Sequence, residues 1–122
     1  MSATPLDSNV TVNAGGSVIL NEGPAIGAAI GYSTLSTPAG GDIKVTAGNS
    51  IQMNGATFGT QIRTSGNVEL HADQPGGAIT QSSASRVLAN GLTTTSNGAT
   101  NLGGANQVAS FNGTTTAGDL TL

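Results

Sequence analysis

His71 is the only histidine in the chain, and Asp73 stands two residues beyond it. A histidine, a carboxylate and one of the many serine hydroxyls are the parts of an activated nucleophile, provided that the three side chains converge. Alternation works against convergence here. Val68, Leu70 and Ala72 take one side of a strand, which leaves His71 and Asp73 on the outward side as a solvated surface pair. One imidazole with scattered carboxylates is also too few ligands for a metal centre. The six acids, Asp7, Glu22, Asp42, Glu69, Asp73 and Asp119, are spread along the whole chain. Glycoside cleavage needs two carboxyls facing each other, and sugar platforms need aromatic rings. Tyr32 is the one tyrosine, and there is no tryptophan. The sequence therefore predicts no enzyme, no catalytic residue, no cofactor and no metal.

Two other patterns could carry a function. Asp42, Asn67 and Asp119 follow glycine in a recurring word, which could suggest a ladder of calcium ligands. The calcium-binding nonapeptide signature is absent, so a turn-forming Asx role is the expectation. Threonines cluster at 93–95 and 114–116, with Thr46 and Thr121 outward, and a flat threonine array could order water against ice. They do not recur once per repeat, and the idea is set aside.

The elements that position these residues announce themselves by repetition. Gly41-Asp42-Ile43-Lys44-Val45 is echoed by Gly16-Ser17-Val18-Ile19-Leu20, by Gly66-Asn67-Val68-Glu69-Leu70 and by Gly118-Asp119-Leu120-Thr121-Leu122. The spacing is about 25 residues, with the last copy close to two periods on, and a fixed period of this size marks stacked repeats. Each word is a turn followed by aliphatics two apart, a short strand with one buried face. Each period holds three such strands, and three strands make a coil. The predicted inward residues are Val18, Leu20, Ile43, Val45, Ile51, Met53, Ile62, Val68, Leu70, Ile79, Val87, Leu102, Val108, Leu120 and Leu122. Ile26 and Ile30 continue the alternation, Leu35 anchors a looser arc, and Asn, Thr and Ser rows are expected at corners. In the fourth period Thr93 and Thr95 stand where aliphatics are expected, and its inward residues are placed at Leu92, Leu102, Val108 and Phe111.

No stretch shows capped 3.6-residue periodicity, so essentially no α-helix is predicted. An antiparallel sandwich or barrel has no need for one glycine-led strand in every three, whereas a parallel β-helix does. The expectation is an all-β β-solenoid of about five coils of roughly 25 residues. It forms one domain over residues 1–122, with coils near 7–15, 16–40, 41–65, 66–90, 91–117 and 118–122. No capping helix is visible at either end, so the chain is expected to be cut from a longer solenoid or to stack end to end.

Composition narrows the partners. Charged residues are 7% of the chain, against about 25% in ordinary globular proteins, and the net charge is −3. Lys44, Arg63 and Arg86 are the only basic side chains and lie far apart, which excludes a basic stripe for nucleic acid. The absence of cysteine excludes disulfides and thiol chemistry. No apolar run is long enough to insert in a membrane, and Met1-Ser2-Ala3-Thr4-Pro5 lacks the features of a signal peptide, so the targeting segment of an exported protein is expected to lie outside this chain.

The runs Gly41 to Ile51, Gly66 to Ala72, Gly76 to Gln81 and Ala105 to Leu122 resemble the repeats of filamentous-haemagglutinin-like exoproteins, large bacterial adhesins of two-partner secretion systems. The resemblance covers most of the chain from about Val10 onward and is carried by degenerate motifs that other secreted β-helices share. It implies a right-handed parallel β-helix stalk, secreted or held at the bacterial cell surface. No Asn-Pro pair occurs, so the secretion domain's motifs have no counterpart here. The function so implied is a non-enzymatic stiff rod for cell adhesion, with an unknown receptor or glycan on a cell surface as partner. The alternative is a self-assembling fibre or matrix subunit that stacks end to end through its terminal coils.

Overall fold

The computed structural model describes residues 9–31 and 41–122, so the expectations placed on Asp7, Tyr32 and Leu35 fall outside the described residues. Every regular element described is a strand. These are β1 (Val10–Ala14), β2 (Val18–Asn21), β3 (Ala28–Gly31), β4 (Ile43–Ala47), β5 (Ile51–Asn54), β6 (Thr60–Arg63), β7 (Asn67–Ala72), β8 (Ile79–Gln81), β9 (Arg86–Ser96), β10 (Thr100–Leu102), β11 (Gln107–Thr115) and β12 (Leu120–Thr121). All pairings between them are parallel. Parallel neighbours joined through other strands, with no helix among the described residues, give the chain its solenoid-like character.

One sheet has seven strands in the order β1-β4-β7-β9-β6-β3, with β11 also on β9; the other has five, in the order β12-β10-β8-β5-β2. The long β9 serves two ladders. Its start pairs with β6 and its second half with β7, so two faces of the molecule are joined through one unbroken strand. Three parallel ladders result. Along the first, the inward column runs Val10, Ile43, Val68, Leu92, Phe111. Along the second it runs Val18, Ile51, Ile79, Thr100, Leu120. Along the third, Ile30, Ile62 and Val87 stack.

The alternation that suggested these strands also decides burial. In β4, Ile43, Val45 and Ala47 are buried while Lys44 is exposed, because successive side chains of a strand point to opposite faces. Leu20, Ile43, Val45, Ile51, Met53, Ile62, Val68, Leu70, Ile79, Val87 and Leu102 are buried, together with Ala47, Ala72 and Leu92. Val18, Val108 and Phe111 are half-buried against them.

Polar side chains near the interior are paired, some between layers and some within one. Thr60 Oγ1 lies 2.9 Å from Ser85 Oγ, Ser82 Oγ 2.8 Å from Ser85 Oγ, and Ser96 Oγ 2.9 Å from Thr100 Oγ1. Gln81 and Asn106 form a reciprocal amide pair at 2.8 and 3.0 Å. Asn106 Oδ1 also accepts the Val87 N–H, and its Nδ2 donates to the Leu102 carbonyl. Thr94 differs, since its hydroxyl is buried without a hydrogen-bond partner.

The register departs from the 25-residue reading at both ends. Gly16–Leu20 does not stack on Gly41–Val45; Val18 pairs with Ile51 and Leu20 with Met53, and β1 is the strand that lies on β4. The first interval is longer, as the contacts Asn9 with Asp42 and Asn21 with Asn54 show at 33 residues' separation. At the other end the interval shortens to 19 residues between Val87 and Asn106. Leu120 consequently lies on Thr100 in the second ladder and not in the first. Leu120 and Leu122 are 41% and 57% exposed, not core, because no further layer of described residues lies on them. Ile26 also departs from expectation; it precedes β3 and is 73% exposed. In the fourth period Thr94 takes the inward position, and Thr93 and Thr95 lie on the alternate face with Lys44, Glu69 and His71.

Two glycines permit layers to approach at turns. A Cβ on Gly48 would lie 2.0 Å from the Gly15 carbonyl oxygen. Gly59 combines φ of +74° with a Cβ position 2.1 Å from the Ala84 carbonyl oxygen, so both space and backbone conformation select glycine.

Candidate functional site

The outward side of the first ladder gathers the titratable side chains of β4 and β7. Lys44 pairs with Glu69 and Thr46 with His71 in the strand register, so these four occupy adjacent positions. Glu69 Oε2 lies 3.2 Å from His71 Nε2 and 3.8 Å from Lys44 Nζ. The partner of His71 is thus Glu69, two residues earlier on the same face, and not Asp73, which lies beyond the end of β7. Asp73 serves the backbone instead. Its N–H donates to the Ala47 carbonyl, and its own carbonyl accepts from Asn97 Nδ2. Threonines flank the cluster, with Thr93 beside Glu69 and Thr95 beside His71. The arrangement is a small, nearly neutral polar patch, whose half-exposed Lys44–Glu69 pair contributes about 0–1 kcal/mol.

Two other acids are spent on joining layers. Asp42 Oδ1 accepts the Asn67 N–H at 2.8 Å, and Asn9 Oδ1 accepts the Asp42 N–H at 2.9 Å. The Asx side chains therefore bridge successive repeats, where local turns were expected. Asp119 does not belong to this column; its carbonyl accepts from Thr100 N at the start of β10. Glu22 follows β2 and is met by the 57–59 loop, accepting the N–H groups of Thr57 (2.9 Å), Phe58 (2.7 Å) and Gly59 (2.7 Å). Successive backbone N–H groups converging on one point form an anion-binding nest, here filled by a carboxylate. The Thr57 N–H is the largest cause holding the Glu22 carboxyl below the ordinary value of 4.5; lost hydration opposes it, and the N–H groups of Gly59, Ala56 and Phe58 add to the lowering. No group of three or more His, Cys, Asp or Glu side chains is placed to hold a metal among the described residues.

A groove of about 390 Å³ lies beside β3, β6 and β9, lined by Ile26, Ala29, Phe58, Gln61, Arg86 and Ala105. Ile26 and Phe58, 73% and 53% exposed, give it apolar walls, and Arg86 gives it one cation. Sequence reasoning missed both this groove and the Glu22 nest. Neither leaves a local pattern, since both join loops of different repeats; only the spacing of the repeats could have brought them together.

No helix among the described residues is long and apolar enough to cross a membrane. Comparisons with protein-family models, with curated proteins and with solved structures find no match for this chain.

Proposed function

We propose that this chain is a non-enzymatic segment of a secreted bacterial surface protein of the filamentous-haemagglutinin-like kind, and that it acts as a stiff rod for cell adhesion. In this reading it is a right-handed parallel β-helix of about five coils. The observation that supports it best is the continuity of the three ladders, in which aliphatic inward columns stack over the first layers and acids join one layer to the next. A stack of this kind resists bending because each coil is hydrogen-bonded along its length to the next. The receptor is a protein or glycan on a cell surface, met weakly at each segment and strongly through many segments.

The test compares beads bearing the folded chain with beads bearing the urea-unfolded, surface-blocked chain for retention on cultured host cells under flow. Greater retention by the folded chain is expected. Equal retention refutes the adhesive role.

A further inference from the structure

Arg63 and Arg86 are far apart in sequence, but the strand register brings them to one face. In the third ladder Gln61 pairs with Arg86 and Arg63 with Leu88, so Arg63 stands diagonally across from Arg86. Ile62 and Val87 are buried between them, which puts both guanidinium groups on the outward face. Two residues along a strand and one strand across set their Cα atoms about 8 Å apart. Neither arginine pairs with an acid among the described residues, where Glu69 takes both ion pairs. The other described acids are placed elsewhere: Asp42 bridges layers of the first ladder, Asp73 follows β7, Asp119 precedes β12, and Glu22 is held by the N–H groups of the 57–59 loop. In a chain of net charge −3, this face carries two positive charges and no counter-charge among the described residues. Like charges set side by side favour an anion between them.

Arg86 also borders the groove beside β3, β6 and β9. The groove crosses the layers, because Ile26, Phe58, Ala84 and Ala105, which line it, lie just before β3, β6, β9 and β11. Small residues keep it open where layers approach: a Cβ on Gly27 would lie 2.2 Å from the Gly59 carbonyl oxygen. Phe58 and Arg86 belong to layers with chain stacked on both sides, so their exposure is lateral and belongs to the flank of the stack. Four layers span about 14 Å, the length of four or five extended residues.

We propose that the groove and the two arginines bind an extended acidic peptide segment of a partner protein, with an apolar side chain against Phe58 and carboxylates on Arg86 and Arg63. Alternate side chains of an extended peptide lie about 7 Å apart on one side, close to the spacing of the two arginines. Phe58 is the one ring lining the groove, which gives a sugar no second platform, and at 53% exposure it encloses no acyl chain. The proposal names a receptor class for the adhesive reading and rests on that reading for its role at a cell, whereas the binding itself stands on the groove.

The test titrates the isotope-labelled chain with the end-blocked peptide Ser-Leu-Ser-Glu-Ser-Glu-Ser and with its reversed sequence, read by amide chemical shifts. Saturable shifts centred on Phe58, Gly59, Arg63 and Arg86 are expected with one of the two. Replacing both peptide glutamates by glutamine is expected to weaken binding about tenfold or more, as is Arg86→Gln at an exposed position. Phe58→Ala is also expected to weaken it, and Lys44→Gln, on another face, to leave it unchanged. Unperturbed shifts outside the groove show that each variant is folded. No binding, shifts centred elsewhere, equal binding of the glutamine peptide or unchanged affinity of Arg86→Gln overturns the proposal. Tighter binding of octanoate or of a sulfated disaccharide at the same amides overturns it in favour of an amphiphile or a glycan. Peptide binding without bead adhesion removes the adhesive reading and upholds the groove's ligand; bead adhesion without peptide binding removes only the groove proposal.

Discussion

Replacing Thr94 with valine is expected to stabilise the protein. Thr94 is 1% exposed, and its Oγ1 has no hydrogen-bond partner. It stands between Leu70 and Gly113 in the first ladder, with the Phe111 ring and Leu120 crowding the space beside Gly113. An unmade hydrogen bond of a buried hydroxyl costs about 1–3 kcal/mol, and valine has nearly the same shape without the hydroxyl. The gain expected from Thr94→Val is therefore about 1–2 kcal/mol, since part of the hydroxyl's dispersion contact is retained. Thr60→Val is the control. Thr60 is equally enclosed, at 2%, but its hydroxyl lies 2.9 Å from Ser85 Oγ, so the same change removes a made hydrogen bond, although Ser85 keeps Ser82 Oγ as a partner, and is expected to cost about 0.5–1.5 kcal/mol. Urea unfolding followed by far-ultraviolet circular dichroism reads both, with unchanged m-values marking a change in stability and not in compactness. If Thr94→Val is neutral or destabilising while Thr60→Val costs what is expected, the Thr94 hydroxyl is satisfied and the reasoning fails.

Asn106→Ala removes an acceptor from Val87 N–H and a donor from Leu102 and Gln81, and is expected to cost about 2–4 kcal/mol in the same urea assay. Glu22 supplies a pH dependence: its folded pKa is lowered, so its contribution is complete above the ordinary value of 4.5 and disappears as pH falls through the lower folded value. Melting curves of the parent and of Glu22→Gln are expected to converge in acid and separate near neutrality. Gly59→Ala forces a Cβ against the Ala84 carbonyl at a positive φ and is expected to lower stability by more than about 1 kcal/mol, read as a drop in melting temperature. Lys44→Ala removes an exposed ion pair and is expected to change the unfolding free energy read from urea curves by no more than about 1 kcal/mol.

The strands of this protein were legible because burial leaves a period-two record. Ile43 and Val45, then Val68 and Leu70, follow one another at the expected spacing and do stack. The same local signal misled at the ends. A turn followed by two alternating aliphatics describes Gly16–Leu20 and Gly118–Leu122 as well as Gly41–Val45, but it carries no information on which ladder the strand joins. That is decided by contacts between layers, such as Asp42 N–H on Asn9 Oδ1, and by intervals that lengthen or shorten outside the strands. His71 was placed on the correct face but given the wrong carboxylate, because Glu69 shares its face and Asp73 lies past the strand end. The Glu22 nest depends on the direction of backbone N–H groups in another loop, which side-chain identity does not encode.

The inward columns also change character along the stack. Val12, Val45 and Leu70 give way to Thr94 and Gly113, and Ala14, Ala47 and Ala72 to Ser96 and Thr115. In a quasi-one-dimensional stack each layer is held only by its neighbours, so this gradient gives unfolding a direction. Loss of structure is expected to start at β11 and β12, where no side chain is fully buried, to pass through the polar interior of β9 and β10, and to travel back toward β4 and β5. Pulled or heated, such a molecule peels from one end like a zipper with a single slider, and its amide protons exchange in that order.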